Sequence, residues 1–272
     1  MAPTLNSTVR TLISTALMTG ALVLAACSSD TALKDDYKEE PVEKLYNFAV
    51  DALEKGEYAQ ASTRFDEVER QHPYSSWATK SQIMAAYSLY MANKYDEAVV
   101  SLDRFIQLHP SNKDADYAYY LKGLCYYEQI SDVGRDQMMT ELALKTLKEL
   151  STRFPDSQYA RDAKIKIELT YDHLAGKEMD IGRYYQTNGQ YLAAINRFDA
   201  VVKKYQTTTH TPEALLRLVE SYLALGLRDE AKKMAAVLGH NFPSSSWYID
   251  AYALLEDPSI KTPQDQPWYK LW

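Results

Sequence analysis

Apolar and small side chains recur at helical spacing along the chain from about residue 41 onward. Four times a short turn is followed, at offsets of 3, 7 and 10 residues from its third position, by a small residue and then by apolar ones. Such offsets place side chains on one face of a helix, so each copy predicts an amphipathic helix after a turn. The copies run from Gly56-Glu57-Tyr58 to Ala61, Phe65 and Val68, from Asn93-Lys94-Tyr95 to Ala98, Leu102 and Phe105, from Gly189-Gln190-Tyr191 to Ala194, Phe198 and Val201, from Gly226-Leu227-Arg228 to Ala231, Ala235 and Leu238, and more weakly through Ala143, Leu147 and Leu150.

Prolines close most of these copies, because proline cannot continue the hydrogen-bond ladder of a helix. Pro73 and Pro110 are 37 residues apart and Pro110 and Pro155 are 45 apart, so the third copy carries an insertion, expected around residues 131–137. The pattern resembles the tetratricopeptide repeat, a helix–turn–helix unit of about 34 residues. It predicts an all-α fold, a right-handed superhelical solenoid of about five helical hairpins that bury one another's apolar faces.

The first 26 residues have the pattern of a cleaved signal peptide. Arg10 is the only charged side chain among them, and it precedes an apolar run from Leu12 to Ala26 that is shorter than the roughly 20 residues a membrane-spanning helix needs. The run ends in Leu24-Ala25-Ala26-Cys27, which resembles the bacterial lipoprotein signal. That resemblance implies cleavage between Ala26 and Cys27 and attachment of lipid to Cys27. An ordinary secretory signal with a chance cysteine is the alternative.

The chain is therefore predicted to have five parts. They are a signal peptide (1–26), a polar and acidic tether (27–40), N-terminal repeats 1–3 (41–155), C-terminal repeats 4–5 (156–255) and a tail rich in proline and aromatic residues (256–272). The tail closes with Trp268-Tyr269-Lys270-Leu271-Trp272. Exposed aromatic residues at a terminus pack back on the last hairpin, or bind a partner or the membrane interface.

Composition and motifs argue against several classes of function. The net charge of −7 and the pI of about 5.3 do not suit a nucleic-acid-binding protein, which usually needs a concentrated basic face. Metalloprotease, phosphate-binding, dinucleotide-binding and serine-hydrolase motifs are all missing, so we expect no catalytic residue, no metal and no cofactor other than the lipid.

His72 and His109 precede helix-ending prolines and are expected to cap helix C-termini. Cys125, in an apolar stretch, is expected to be a buried and inert thiol.

The 22 tyrosines include a group on the first helices of the predicted hairpins. First helices line the concave surface of tetratricopeptide folds, so these rings are candidates for a groove that takes an extended, aromatic-rich peptide. Packing between neighbouring hairpins is the alternative for each ring. The group consists of Tyr46, Tyr87, Tyr90, Tyr117, Tyr120 and Tyr127.

Longer strings in the chain resemble the BamD (ComL) family, lipoproteins of the machinery that assembles outer-membrane β-barrels. The resemblance covers roughly residues 37–243 and includes polar surface positions that repeat packing alone does not require. The strings are HPYS at 72–75, YDEA at 95–98, LDRFI at 102–106, DYAYYLKGL at 116–124, HLAGKE at 173–178, RYY at 183–185 and AINRF at 194–198.

The resemblance implies a non-catalytic adaptor lipoprotein, lipid-anchored to the periplasmic face of the outer membrane. The C-terminal repeats would dock on the periplasmic POTRA domains of the insertase BamA and hold smaller Bam lipoproteins, with Arg197 as the candidate interfacial charge. The N-terminal repeats would receive the C-terminal strand of unfolded outer-membrane proteins. A tetratricopeptide lipoprotein that scaffolds peptidoglycan or cell-division enzymes is the alternative.

One departure from the family falls at the end of the fourth repeat. Where the family usually has Tyr-Pro, this chain has Tyr205-Gln206 followed by Thr207-Thr208-Thr209-His210. Without the proline, the end of that repeat is expected to be looser.

Overall fold

The computed structural model describes residues 39–256. The chain divides into two units, Met1–Pro41 and Val42–Trp272, and the account below concerns the second. The predicted signal peptide, the cleavage site at Ala26, the lipid site at Cys27 and most of the predicted tether lie outside the described residues. So does the tail beyond Glu256.

Within residues 39–256 all regular secondary structure is α-helical, which confirms the predicted fold class. Eleven helices follow one another in this part of the chain. They are α1 (Val42–Glu54), α2 (Tyr58–Gln71), α3 (Ser76–Met91), α4 (Tyr95–Leu108), α5 (Ala115–Tyr127), α6 (Met138–Arg153), α7 (Gln158–Thr187), α8 (Tyr191–Lys204), α9 (Thr211–Ala224), α10 (Arg228–Asn241) and α11 (Ser246–Glu256).

Consecutive helices pack as five hairpins, α1–α2 through α9–α10, and α11 packs against α9 and α10. The small residue of each repeat copy lies where the two helices of a hairpin approach. All five of these alanines are fully buried, and larger apolar side chains fill the space on either side of them. The alanines are Ala61, Ala98, Ala143, Ala194 and Ala231.

Four of the hairpin turns share one backbone feature, a residue with positive φ. The first residue of each repeat signature adopts a left-handed conformation, with φ of +76° at Gly56, 59° at Asn93, +73° at Gly189 and +75° at Gly226. Glycine adopts this conformation without steric cost and asparagine tolerates it, which explains why the turn position in the sequence is Gly or Asn. The second helix then begins two residues later.

Substituting a turn glycine tests whether the positive φ at this position restricts the residue type. We expect Gly189→Ala to lower the free energy of unfolding by about 1 kcal/mol, because an L side chain is strained at positive φ. A Cβ at Gly189 meets no atom within 4 Å, so the loss would reflect backbone strain alone. Gly189→Asn should cost less, since asparagine already occupies the equivalent turn at Asn93. Urea unfolding followed by circular dichroism measures both, and equal losses would contradict the explanation.

The second helices end alike. Each ends at a C-cap residue with φ between −129° and −135°. In chain order these residues are His72 after α2, His109 after α4, Phe154 after α6, Tyr205 after α8 and Phe242 after α10. The prediction for His72 and His109 is thereby confirmed. A proline follows four of these caps, and Gln206 follows the fifth.

The expectation of a looser end after Tyr205 is wrong. Its cap geometry matches that of the proline-containing repeats, because threonine hydroxyls supply other restraints. Thr208 and Thr211 donate to the Tyr205 carbonyl at 2.8 and 3.0 Å. Thr209 donates to Asp172 on α7 through both its backbone N–H (3.0 Å) and its hydroxyl (2.7 Å). The loop is therefore fastened to the preceding hairpin by hydrogen bonds.

Helix α7 is the main departure from a regular repeat, since it has 30 residues where the other helices have 11–16. The predicted insertion lies between α5 and α6, at residues 128–137, and it contacts the middle of α7. Ser131 O is 2.7 Å from His173 Nε2, and Lys177 donates to Gly134 O at 3.0 Å. A Cβ at Gly176 would lie 3.4 Å from the side chain of Val133, so glycine allows this close approach.

Candidate protein-binding surfaces

Tyrosine rings from α3, α5 and α7 form one contiguous group. Tyr159 on α7 stacks on Tyr120 of α5, with ring centroids 5.2 Å apart, and its ring lies 5.1 Å from Tyr117. Tyr87 and Tyr90 of α3 are close enough to Tyr117 to affect its titration. All five rings are partly exposed. We call Tyr87, Tyr90, Tyr117, Tyr120, Tyr159 and the adjoining Tyr127 the tyrosine groove.

Carboxylates hold two of the tyrosine hydroxyls. Tyr120 donates to Asp162 at 2.5 Å, and Tyr90 donates to Glu128 at 3.4 Å. Burial, assisted by the nearby Glu128 carboxylate, raises the pKa of Tyr90 to about 12. Burial likewise raises the pKa of Tyr117 and of Tyr120, the latter with help from its hydrogen bond to Asp162. These phenols are therefore neutral at physiological pH, and the short hydrogen bond to Asp162 holds the ring of Tyr120 in place.

The groove continues from α5 onto α7. The Lys166 ammonium lies 5.0 Å from the centre of the Tyr127 ring and 3.7 Å from Asp162, so it links Tyr127 to the carboxylate that holds Tyr120. Ile165 and Leu169 occupy the same face of α7, at helical spacing from Asp162 and Lys166, and they are 63% and 54% exposed. An apolar strip thus extends the ring cluster.

Sequence reasoning missed this α7 side of the groove. Tyr159 and the pair Ile165 and Leu169 fall in a helix that carries no copy of the repeat signature. Their signal was the spacing of apolar residues on an otherwise charged stretch. That spacing becomes informative only once α7 is known to lie beside α5.

Tyr46 does not belong to the groove, and its prediction as a groove residue is wrong. It is only 7% exposed, in the core of the first hairpin. Its ring contacts Phe65 edge-on at 5.4 Å and Trp77 at 4.8 Å, and Lys80 lies over it. Tyr46 is a packing residue because Phe65 of α2 and Trp77 of α3 cover its ring.

A separate cleft of about 420 Å³ lies between α1 and α2. It is lined by apolar Leu45 and Phe48 and by both acidic and basic side chains. Arg64 is engaged there by donating to the Phe48 carbonyl at 2.9 Å. The cleft therefore offers a mixed surface without a preferred charge, in contrast to the aromatic groove.

Arg197 lies on α8 and faces α7. Its Nη1 donates to Glu178 Oε2 at 3.1 Å, while its side chain is 42% exposed. Sequence reasoning did not identify Glu178 as its partner, although both residues fall within the family-like strings at 173–178 and 194–198. The pair joins the two helices of the fourth hairpin and also presents a guanidinium at the surface.

Two features that could carry chemistry are the cysteine thiol and clusters of metal-ligating side chains, and both can be assessed in the described part of the chain. Cys125 is fully buried, and burial raises its pKa to about 12, as expected for an inert thiol. Between residues 39 and 256 no cluster of His, Cys, Asp and Glu is arranged to hold a metal ion. In the same range no helix combines the length and the apolar character needed to cross a bilayer.

Comparisons with known proteins identify the family. The family model described as YfiO, outer membrane lipoprotein, matches residues 38–238. Curated relatives named "Outer membrane protein assembly factor BamD" include one from Caulobacter vibrioides, 55% identical over 83% of this chain and 74% of the relative. Another, from Rickettsia prowazekii, is 48% identical over 89% of this chain and 96% of the relative. A third, from Neisseria meningitidis serogroup A, is 33% identical over 92% of this chain and 96% of the relative.

A solved tetratricopeptide domain, that of P58(IPK), is 17% identical with a TM-score of 0.41, covering 78% of this chain and 54% of the other. The curated matches extend across both the tyrosine groove and the pair formed by Arg197 and Glu178. The family model and these relatives together show that the chain belongs to the YfiO, or BamD, family of outer membrane lipoproteins.

Proposed function

We propose that this chain is a non-catalytic adaptor in the assembly of outer-membrane β-barrels. It receives extended, aromatic-rich segments of unfolded outer-membrane proteins in the tyrosine groove and docks on the POTRA domains of BamA through the surface around Arg197. Lipid on Cys27 anchors it to the periplasmic face of the outer membrane, and smaller Bam lipoproteins attach to its C-terminal repeats. The names of its relatives, outer membrane protein assembly factors, support this role.

The observation that carries the substrate role is the continuous row of partly exposed rings on first helices. Tyrosine presents an apolar face to a ligand while its hydroxyl stays solvated or hydrogen-bonded. Membrane-facing positions of a β-barrel strand alternate apolar and aromatic residues with lumen-facing ones. A row of fixed rings suits one side of such a strand before it has paired with its neighbours.

The groove is pre-organised, which lowers the entropic cost of binding. Tyr120 is stacked on Tyr159 and bonded to Asp162, so its ring need not be ordered when a ligand arrives. The strip formed by Ile165 and Leu169 extends the contact area with apolar surface alone. Contacts of this kind are tolerant of sequence, as a carrier of many different barrels requires.

Arg197 supports the docking role because its guanidinium is shared between the fold and the surface. A guanidinium has five N–H donors, and the bond to Glu178 uses Nη1. The exposed remainder of the fork can bind a partner carboxylate bidentately. Glu178 fixes the orientation of the fork, which reduces the side-chain entropy lost on docking.

Co-purification of the tagged, lipidated protein from membranes in mild detergent tests the docking role. The wild type should recover a large β-barrel protein with periplasmic domains in stoichiometric amount. Arg197→Glu should reduce that recovery at least tenfold, since it reverses the interfacial charge and sets two carboxylates against each other.

A charge swap separates docking from folding. Arg197→Glu combined with Glu178→Arg restores an ion pair between α7 and α8, so thermal stability should return to the wild-type value while recovery of the partner stays low. Recovery restored together with stability would assign Arg197 to the fold alone. Stoichiometric recovery of cell-wall enzymes by the wild type would favour the scaffold alternative.

A further inference from the structure

The turn between α7 and α8 contains the one Asn-Gly dipeptide of the chain, Asn188-Gly189. Asparagine is a thermolabile residue, and it is most labile before glycine, which has no side chain to hinder attack by its own backbone nitrogen. Residues 187–190 are all exposed, and a Cβ at Gly189 would meet no atom within 4 Å. Water therefore reaches the pair, as deamidation of the asparagine side chain requires.

Deamidation of such a pair needs only water. The Gly189 nitrogen attacks the side-chain Cγ of Asn188, the Cγ–Nδ2 bond breaks, and the side-chain nitrogen leaves as ammonia after taking up the proton of the Gly189 N–H. One water molecule then opens the resulting succinimide ring at either carbonyl. Opening gives aspartate or isoaspartate at position 188, the latter with the main chain running through the side-chain carbon. The net change is the exchange of the amide nitrogen for a water oxygen.

The folded turn opposes ring closure in three ways. Closure requires the Gly189 nitrogen to lie beside Cβ of Asn188, whereas a ψ of 9° at Asn188 places it beside the Asn188 nitrogen instead. The attacking N–H is occupied, because Gly189 donates to the Gln186 carbonyl at 3.0 Å. The side-chain amide is occupied as well, since Nδ2 of Asn188 donates to the Tyr184 carbonyl at 2.8 Å. The closed turn therefore keeps the two reacting groups apart.

These restraints are released together when the turn opens. Its backbone hydrogen bonds lie at an exposed helix end, and such bonds open locally at a much smaller cost in free energy than global unfolding. Opening frees the Gly189 N–H, the Asn188 amide and the ψ angle between them. Ring closure then competes with reclosure of the turn.

We propose that Asn188 is a site of spontaneous deamidation whose rate is set by opening of the α7–α8 turn. The product cannot rebuild the cap. A carboxylate at position 188 has no N–H to donate to the Tyr184 carbonyl, and its negative charge lies at the C-terminal end of α7, where the helix dipole disfavours anions. Isoaspartate also adds a methylene to the main chain inside the turn. Each modified molecule therefore keeps a weakened joint in the hairpin that carries Arg197 and Glu178.

Peptide mass mapping with detection of isoaspartate tests the protection. The full mature chain is incubated in mild detergent at one pH and temperature, with and without a denaturing concentration of urea. We expect Asn188 to be modified at least tenfold more slowly in the folded chain. Asn93 is the internal control: it lies in the turn between α3 and α4 but precedes Lys94, so it should remain unmodified in both samples. Equal rates at Asn188 in the two samples, or no modification in urea, would overturn the proposal.

A pair of variants distinguishes opening of the turn from global unfolding. Gly182→Leu inserts a side chain against the Phe198 ring, where even a Cβ would lie 2.8 Å from Cδ1, and so forces α7 and α8 apart close to the turn. It should accelerate deamidation of Asn188 in buffer at least fivefold. Tyr46→Ala removes core packing in the first hairpin and should leave the rate within twofold of the wild type. Equal acceleration by both variants would refute a gate at the turn, because unfolding of the whole array would then set the rate. An unchanged rate in Gly182→Leu would refute it too.

Discussion

Gly182→Leu is expected to lower the free energy of unfolding by about 3 kcal/mol or more. A Cβ at Gly182 would lie 2.8 and 2.9 Å from Cδ1 and Cζ of Phe198. Phe198 is fully buried in the core between α7, α8 and α9, so its ring cannot move aside without displacing its neighbours. A leucine side chain therefore forces α7 and α8 apart.

The size dependence makes this prediction sharp. In Gly182→Ala the higher helix propensity of alanine stabilises the fold by about 1 kcal/mol, and overpacking destabilises it by about 1–3 kcal/mol. The alanine variant should therefore lose much less stability than the leucine variant. Asp180→Leu, on the exposed side of the same helix, is the matched control and should change stability by no more than about 0.5 kcal/mol. Urea unfolding followed by circular dichroism provides the comparison.

A double substitution identifies the cause. In a Phe198→Leu background the smaller side chain leaves room beside position 182, so the added cost of Gly182→Leu should fall by at least 1 kcal/mol. An undiminished cost would show that the ring of Phe198 is not what excludes the side chain. Close approaches of the same kind occur at Gly123, against Leu147, and at Gly239, against Tyr248.

The repeat pattern was sufficient to predict the hairpins, and the reason is local. A turn residue that tolerates positive φ and a proline after the second helix each occur in four of the five hairpins, and a small residue three positions after the start of the second helix recurs with them. Each acts within a single hairpin. Asn93, Ala98 and Pro110 illustrate the three requirements in one repeat. The helix caps His72 and His109 were predictable for the same reason.

Features that depend on contacts between hairpins were not predictable in this way. The length of α7 follows from its packing against α6 through its first half and against α8 through its second, and no single repeat signature encodes that double role. The position of Tyr46 in the core and the pairing of Arg197 with Glu178 depend on which helix lies opposite. Likewise, the place of Tyr159 in the groove depends on the packing of α7 beside α5.

Replacing Tyr87, Tyr120 and Tyr127 together with alanine should weaken binding of an extended aromatic peptide at least tenfold. Truncating a ring at a contact surface typically costs 1 kcal/mol or more, and three such losses exceed the 1.4 kcal/mol that corresponds to a tenfold change. Removing Tyr120 also leaves Asp162 without its phenol donor and Tyr159 without its stacking partner. The probe is a fluorescent peptide with the alternating aromatic pattern of a barrel's last strand, and a peptide with serine at the aromatic positions measures background binding.

Matched tyrosines elsewhere in the chain control for the loss of three rings. Tyr74, Tyr126 and Tyr184 lie outside the groove: Tyr74 and Tyr184 are exposed, and Tyr126 lies on α5 near Lys122 and Asp103. Their simultaneous replacement with alanine should leave peptide affinity within about twofold of the wild type, a change of about 0.4 kcal/mol.

Tyr46→Ala separates fold from binding in the same assay. Because Tyr46 packs against Phe65 and Trp77 in the core, its removal should lower the free energy of unfolding by about 3 kcal/mol while the folded fraction keeps its affinity for the peptide. The groove triple should lose affinity even in the folded fraction, although its partly buried rings also contribute to stability through the core clusters beside them. Unchanged peptide affinity in the folded groove triple would refute the groove as the substrate site. The hydrogen bonds from Tyr90 to Glu128 and from Tyr120 to Asp162 would then serve only to pack the first helices against one another.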